Sequence, residues 1–189
     1  MVETEAAQQP AQLRIAEDAV VSKDVEIVGP HAVEIGPRCV VQPRSRLVAS
    51  HGPVIIGAEC IVEELVVIQT TPEHPQAQIG SRNLLKVGCK VQGASVGDNN
   101  TLDIRANVGP GCVVGNGCTV GATATLATDT QLADNHAAFC VDGETRIHAV
   151  RPAQEDHILL MERHLSSLLD DDSKSALRKH HKLLSPTAS

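Results

Sequence analysis

Aromatic residues are almost missing from this chain: its 189 residues include one Phe, no Tyr and no Trp. A globular interior usually draws much of its buried area from aromatic rings, so this core is expected to be narrow and filled with Val, Ile, Leu, Ala and Cys. Long apolar runs are missing too. Nothing approaches the roughly 18 apolar residues of a membrane span. The opening MVETEAAQQPAQ holds Glu3 and Glu5 and no apolar stretch, so it reads as neither signal nor transit peptide, and a soluble intracellular protein is expected. Positive charge is short: the net charge is −7 with Lys and Arg scattered, which argues against a nucleic-acid surface. The six cysteines contain no CxxC pair, so neither a disulfide framework nor a zinc site is expected. A Walker loop, a nucleophile elbow and a GxGxxG after a strand are also absent.

What is present is a period of six. In VGPGCVVGNGCTVGATATLATDTQLADNHA (residues 108–137) the aliphatics Val108, Val114, Val120, Leu126 and Leu132 hold the beat. The same beat runs back through Ile15, Val21, Ile27, then Ile35, Val41, Leu47, then Ile56, Val62, Ile68, then Ile79, Leu85, Val91, then Val96 and Leu102, and forward to Ala138 and Glu144. Within each group of three the step is six; between groups it is 8, 9, 11, 5, 6 and 6. A unit of three hexads that accepts insertions at one corner only is a three-sided coil whose loops leave from one edge of a prism. Seven units stack, the last one degraded. At about 4.8 Å per coil the prism is on the order of 30 Å long.

Two further positions follow the period. Glycine after the aliphatic (Gly36, Gly57, Gly80, Gly97 and Gly115) is expected to supply the positive φ of a sharp corner. Four residues after the aliphatic the interior is crowded and the residue must be small: Ala19, Cys39, Ser45, Cys60, Cys89, Ser95, Ala106, Cys112, Cys118, Ala124 and Thr130 stand there. Five of the six cysteines thus read as buried small residues rather than ligands or nucleophiles.

The period dissolves near Ile147, and Pro152 marks a break. AQEDHILLMERHLSSLLDDD then shows helical spacing, with Ile158, Met161, Leu165 and Leu168 expected to bury against a flat side of the prism. SKSALRKHHKLL is a candidate second helix, with His180 and His181 at its solvated end. Ser185 before Pro186 has the minimal form of a proline-directed phosphorylation site, beside Arg178, Lys179 and Lys182. The chain is therefore divided into a disordered arm (1–12), a solenoid (13–148), a helical segment (149–184) and a flexible tail (185–189).

The pattern [LIV]-G-x-x-[small]-x resembles the hexapeptide-repeat family, whose fold is the left-handed parallel β-helix. The expected fold class is thus an all-β solenoid followed by an amphipathic helix. The family holds acyltransferases, γ-class carbonic anhydrases and non-catalytic assembly subunits. The carbonic anhydrase class implies three imidazoles on zinc, one after [NIV]-Q-[DE] and two as G-H-x4-H. Here IVEELVVIQ puts Gln69 where a His would stand, and VGCKVQG puts Cys89 after Gly88; no His occurs between His74 and His136. His74, in the loop TTPEHPQAQ, resembles the loop base of acyltransferases but reads more simply as a solvated residue. His31, His51 and His136 read as packing or surface residues, and Glu63 and Glu64, adjacent on a strand, point to opposite sides. No catalytic residue, metal ligand or cofactor-binding residue is assigned.

IGPRCVVQPRSRL, GPVIIGAECIVEE, the long loop, NLLKVGCKVQGASVGDNNTLDIRANVG and the RP before the helix together resemble the β-helical subunits of the dynactin pointed-end complex. That resemblance implies a non-catalytic adaptor supporting dynein-driven transport along microtubules. It implies pairing with a second β-helix, dynactin subunit 5, next to the actin-related protein, without nucleic acid or membrane insertion. The place implied is cytoplasmic and cytoskeletal, with centrosome and kinetochore as further sites. The alternative is a hexapeptide-repeat enzyme, γ-carbonic-anhydrase-like or an acyltransferase, with a non-standard site.

Overall fold

A computed structural model describes residues 12–152 and 154–170. Short strands stack coil upon coil into three parallel sheets, the faces of a prism. Face A has seven strands: Leu13–Ile15, Val33–Ile35, Val54–Ile56, Ala77–Ile79, Ser95–Val96, Val113–Val114 and Gln131–Leu132. Face B starts at Val20–Val21, and face C runs in six strands from Glu26–Val28 to Thr125–Leu126. Six coils are complete and the seventh has two sides.

The register follows from the period. Ile35 stands opposite Ile56, Ile56 opposite Ile79, Ile79 opposite Val96 and Val96 opposite Val114, so each beat residue stacks on its counterpart in an interior column. These residues and the columns led by Val41 and Leu47 are buried. The longer links, residues 49–53 and 70–76, and the shortest, 93–94, all join face C to face A, while within the six complete coils the A–B and B–C corners stay at four residues.

Three expectations about the corners and the end of the solenoid need correction. Positive φ does not fall on the glycine after the aliphatic. It falls two residues later, on Arg38, Arg44, Glu59, Leu65, Arg82, Asn99, Arg105, Thr123, Asp129 and Asn135 among others. The glycines answer a different demand. A Cβ on Gly57 would lie 2.7 Å from the carbonyl of Gly80, and one on Gly36 2.6 Å from the carbonyl oxygen of Gly57. Coils meet so closely at the A–B corner that only hydrogen fits between them. Ser95 is exposed rather than inward, because the step of five before Val96 moves the buried small position to Ala94. Finally, Ala138 keeps the register, opposite Val120, but Glu144 does not. His136–Val141 and Glu144–Ala149 form an antiparallel hairpin, turning at Asp142–Gly143 with φ of 52° and 80°. Asp-Gly between two such runs is the signal of a two-residue hairpin turn.

A β-branched residue at a left-handed φ is strained by roughly 1–2 kcal/mol, whereas Asn tolerates that region. Thr123, exposed at φ 58°, is the case in point. Thr123→Asn is expected to stabilise the protein by about 1 kcal/mol and raise its melting temperature by about 2–4 °C; an unchanged or lower melting temperature in calorimetry would contradict the strain.

The helix Gln154–Leu168 lies on face B. Three outward residues of that face, Val40, Ile61 and Leu84, form a second core with Met161 and Leu165, and Leu168 and Leu169 pack against it. Ile158 and Leu168 are half-buried. Fifteen residues at 1.5 Å per residue reach about 22 Å, or about four to five coils along the prism. No helix among the described residues is long and apolar enough to cross a membrane.

Candidate functional site

The residues standing where a metal site would be expected have other employment. Gln69 is on face C, its amide donating to Gln92 Oε1 at 3.3 Å. Cys89 points into the core and is buried. Glu63 and Glu64 occupy a corner turn rather than a strand. Glu63 accepts the Val87 N–H at 2.9 Å, tying one coil to the next. With the Gln42 amide turned to donate, Glu64 receives it at 2.9 Å. Among the described residues no three His, Cys, Asp or Glu side chains converge to hold a metal ion.

His74 is not simply solvated. Its loop folds back along the corner, the ring lies over Gly111, and Nε2 stands 3.6 Å from Asp129 Oδ1. A groove of about 390 Å³ adjoins it, lined in part by Ser95 and Cys112. The ring makes no hydrogen bond among the described residues; the loop is closed on itself by Thr71 N donating to the His74 carbonyl and His74 N to Thr71 Oγ1. His31 and His51 are exposed in neighbouring loops. His136 opens the hairpin, with Nδ1 2.9 Å from the Asp134 carbonyl. The period gives no sign of His157, which fastens the helix to the prism: Nε2 lies 2.8 Å from the Arg82 carbonyl and Nδ1 3.4 Å from Thr101 Oγ1.

The A–B corner holds a polar column in which each side chain reaches the backbone of the next coil. Cys39 Sγ donates to Gly57 O, Cys60 Sγ to Gly80 O, Asn83 Nδ2 to Gly97 O and Cys118 Sγ to Ala133 O. Asn83 and Asn100 are buried; Asn83 Oδ1 accepts from Asn100 N, and Asn100 Oδ1 from Cys118 N. Both stand four residues after a beat residue, so an amide in the small inward position is the signal that would have found them. The column gives carbonyls of this corner partners from the preceding coil, while the buried Asn100 Nδ2 finds none.

All six cysteines are free and five are buried, leaving Cys140 exposed on the hairpin. Burial pushes the Cys89, Cys112 and Cys118 thiols up, and contact with Cys39 followed by burial does so for Cys60; the hydrogen bond with Cys60 draws Cys39 down, and there burial alone withholds the thiol from reagents. The thiolate is the reactive form. One thiol per chain is therefore expected to react promptly with a disulfide reagent in native protein, and Cys140→Ser should abolish that phase. Prompt reaction of two or more thiols would contradict the packing. Ser185, the tail helix and His180 and His181 lie outside the described residues.

A parallel prism of stacked hexads defines a hexapeptide-repeat β-helix. Residues 93–128 match the family model for bacterial transferase hexapeptide (six repeats). A candidate acetyltransferase of Bacillus cereus shares the fold at a TM-score of 0.75, with 15% identity over 87% of this chain and 92% of that one. A hexapeptide transferase family protein of Anaplasma phagocytophilum follows at 0.68 and 14% identity, over 83% and 89% of the two chains. At that identity the likeness speaks for the fold alone. Closer in sequence is dynactin subunit 6 of Nematostella vectensis, 32% identical over 160 residues, covering 79% of this chain and 86% of the relative. Dynactin subunit 6 of Xenopus tropicalis is 35% identical over 150 residues, 74% of each chain. The chain belongs to the dynactin subunit 6 family.

Proposed function

We propose that this protein is a non-catalytic structural subunit of dynactin, seated in the pointed-end complex and supporting dynein-driven transport along microtubules. The observation that carries the reading is that the residues at the metal-ligand positions are committed to structure, Gln69 to an amide ladder on face C and Cys89 to the core. A rigid prism with flat walls and open strand edges suits docking, because unpaired strand edges invite partners. The partners in this reading are dynactin subunit 5, as a second β-helix in a heterodimer, and the actin-related protein. The place is cytoplasmic and cytoskeletal, including centrosome and kinetochore.

Tagged full-length chain expressed in cells is expected to co-purify in stoichiometric amounts with the dynactin complex. The purified chain is expected to hold less than about 0.1 zinc per chain and to show neither CO2 hydration nor acetyl transfer from acetyl-coenzyme A. The second reading, an acyltransferase with a non-standard site, draws on the His74–Asp129 contact beside its groove. Acetyl transfer that is lost in His74→Ala would establish it and overturn the first; recovery without dynactin would also count against the scaffold role.

A further inference from the structure

Face C carries an open groove of about 620 Å³ lined by Arg46, Lys90 and Arg105 together with Gln69, Gln92 and Asn107. Its floor is organised before any ligand arrives. Gln69 Nε2 donates to Gln92 Oε1 at 3.3 Å, and Gln92 Nε2 to Asn107 Oδ1 at 3.0 Å, a ladder across three successive coils. Such bonds hold long side chains in one conformation and reduce the entropy lost on binding. The Arg105 stem passes over Gly88, where a Cβ would sit 3.6 Å from its Cγ.

The charge of this groove runs against that of the chain, which is −7 overall. No carboxylate lines it. Arg14, Arg38 and Lys86 each sit beside an acidic partner, whereas exposed Lys90 and Arg105 make no ion pair among the described residues. Arg46, at the other end, is held by Glu26 at 2.6 Å. Unneutralised cations on a fixed polar floor select an anionic partner by charge complementarity.

We propose that this groove binds an extended acidic peptide segment of a partner protein, with carboxylates on Lys90, Arg105 and Arg46. The proposal deepens the scaffold reading and rests on it. The spacing argues for an extended chain: Arg46 and Lys90 stand two coils apart, about 10 Å at 4.8 Å per coil, and an extended peptide advances about 3.3 Å per residue. Acidic residues three apart therefore meet Arg46 and Lys90, with Arg105 one coil beyond Lys90 for a further carboxylate, while the amide ladder offers hydrogen bonds to the peptide backbone between them. A phosphate ligand fits less well, because backbone N–H groups along this face are spent between coils, as in Lys90 N to Ala106 O and Gly88 N to Glu64 O. Single-stranded nucleic acid would want aromatic platforms, and none of the groove's lining residues is aromatic.

The test titrates full-length protein into a fluorescein-labelled Glu-Ser-Thr-Glu-Ser-Thr-Glu peptide, followed by fluorescence anisotropy. Binding is expected at about 50 mM salt and should weaken at least about fivefold by about 300 mM, as screening shortens the reach of exposed charges. The double variant Lys90→Glu/Arg105→Glu should weaken it by at least about tenfold with an unchanged melting temperature, since both side chains are exposed. Lys23→Glu, on the same edge of the prism but in the first coil and outside the groove's lining, should leave it unaltered. No binding at low salt, equal loss in Lys23→Glu, or displacement of the peptide by lower concentrations of pyrophosphate, coenzyme A or single-stranded RNA would overturn the proposal. The same proteins, tested for recovery with dynactin, keep the two readings apart: wild type that binds the peptide but never joins dynactin overturns the complex assignment alone. Wild type that joins dynactin but ignores the peptide overturns the groove alone.

Discussion

Leu165→Asp is expected to release the C-terminal helix from face B. Leu165 and Met161 are buried there against Val40, Ile61 and Leu84. Each such side chain gains about 1.5–3 kcal/mol by leaving water. An aspartate cannot stay among them without a partner, because burying an unpaired charge costs more than the contact gains. The helix undocks instead, and the loss is on the order of 4 kcal/mol, spread over the side chains that return to water. The effect should be local, since the coils keep their own interior columns. Limited proteolysis within 154–168 should accelerate by at least about a hundredfold, the change this free energy implies, while the parallel-sheet circular dichroism persists. Leu159→Asp, at a residue 49% exposed on the same helix, is the control and should change little. Equal sensitivity of the two variants would show that the helix is not held by this face.

The second large effect belongs to the stacked glycines. Gly57→Ala is expected to destabilise the solenoid by about 2–3 kcal/mol, and Gly57→Val by more, because the added Cβ meets the Gly80 backbone and forces adjacent coils apart. Chemical denaturation measures it. The partner experiment is Gly88→Asn. Gly88 has φ +69° and space for a side chain, its Cβ position lying 3.6 Å from Arg105 Cγ. Asn accepts such a φ, so the cost should stay below about 1 kcal/mol. If the need at Gly57 were conformational, Asn would be tolerated there and Ala would not; the steric account expects both to fail.

Those two glycines also show where the sequence is readable and where it is not. The period of six locates the beat residues from Ile15 to Ala138, and the steps between groups locate the single corner that accepts loops. It does not say why glycine follows the beat. A glycine required for its φ and one required for lack of a side chain look identical in sequence, and the answer lies in the next coil, about 20 residues away. The hairpin had a local signal in Asp142–Gly143, hidden because the six-residue beat was carried on to Glu144. The polar column had one in Asn83 and Asn100, amides standing where a small residue was expected.

Other features had no local signal at all. His74 and Asp129 are 55 residues apart in the chain and meet because the loop folds over intervening coils. The groove on face C is assembled from outward residues of coils two to five, each an unremarkable polar position in its own hexad. The sequence by itself determined the solenoid, its loop-bearing corner and the apolar face of the helix. In a parallel stack the inward positions depend only on residues near in sequence and on a repeat that keeps them aligned. Which wall receives the helix, what the glycines avoid and where unpaired charge gathers were decided by tertiary structure, since each depends on contacts between coils that the period aligns but does not describe.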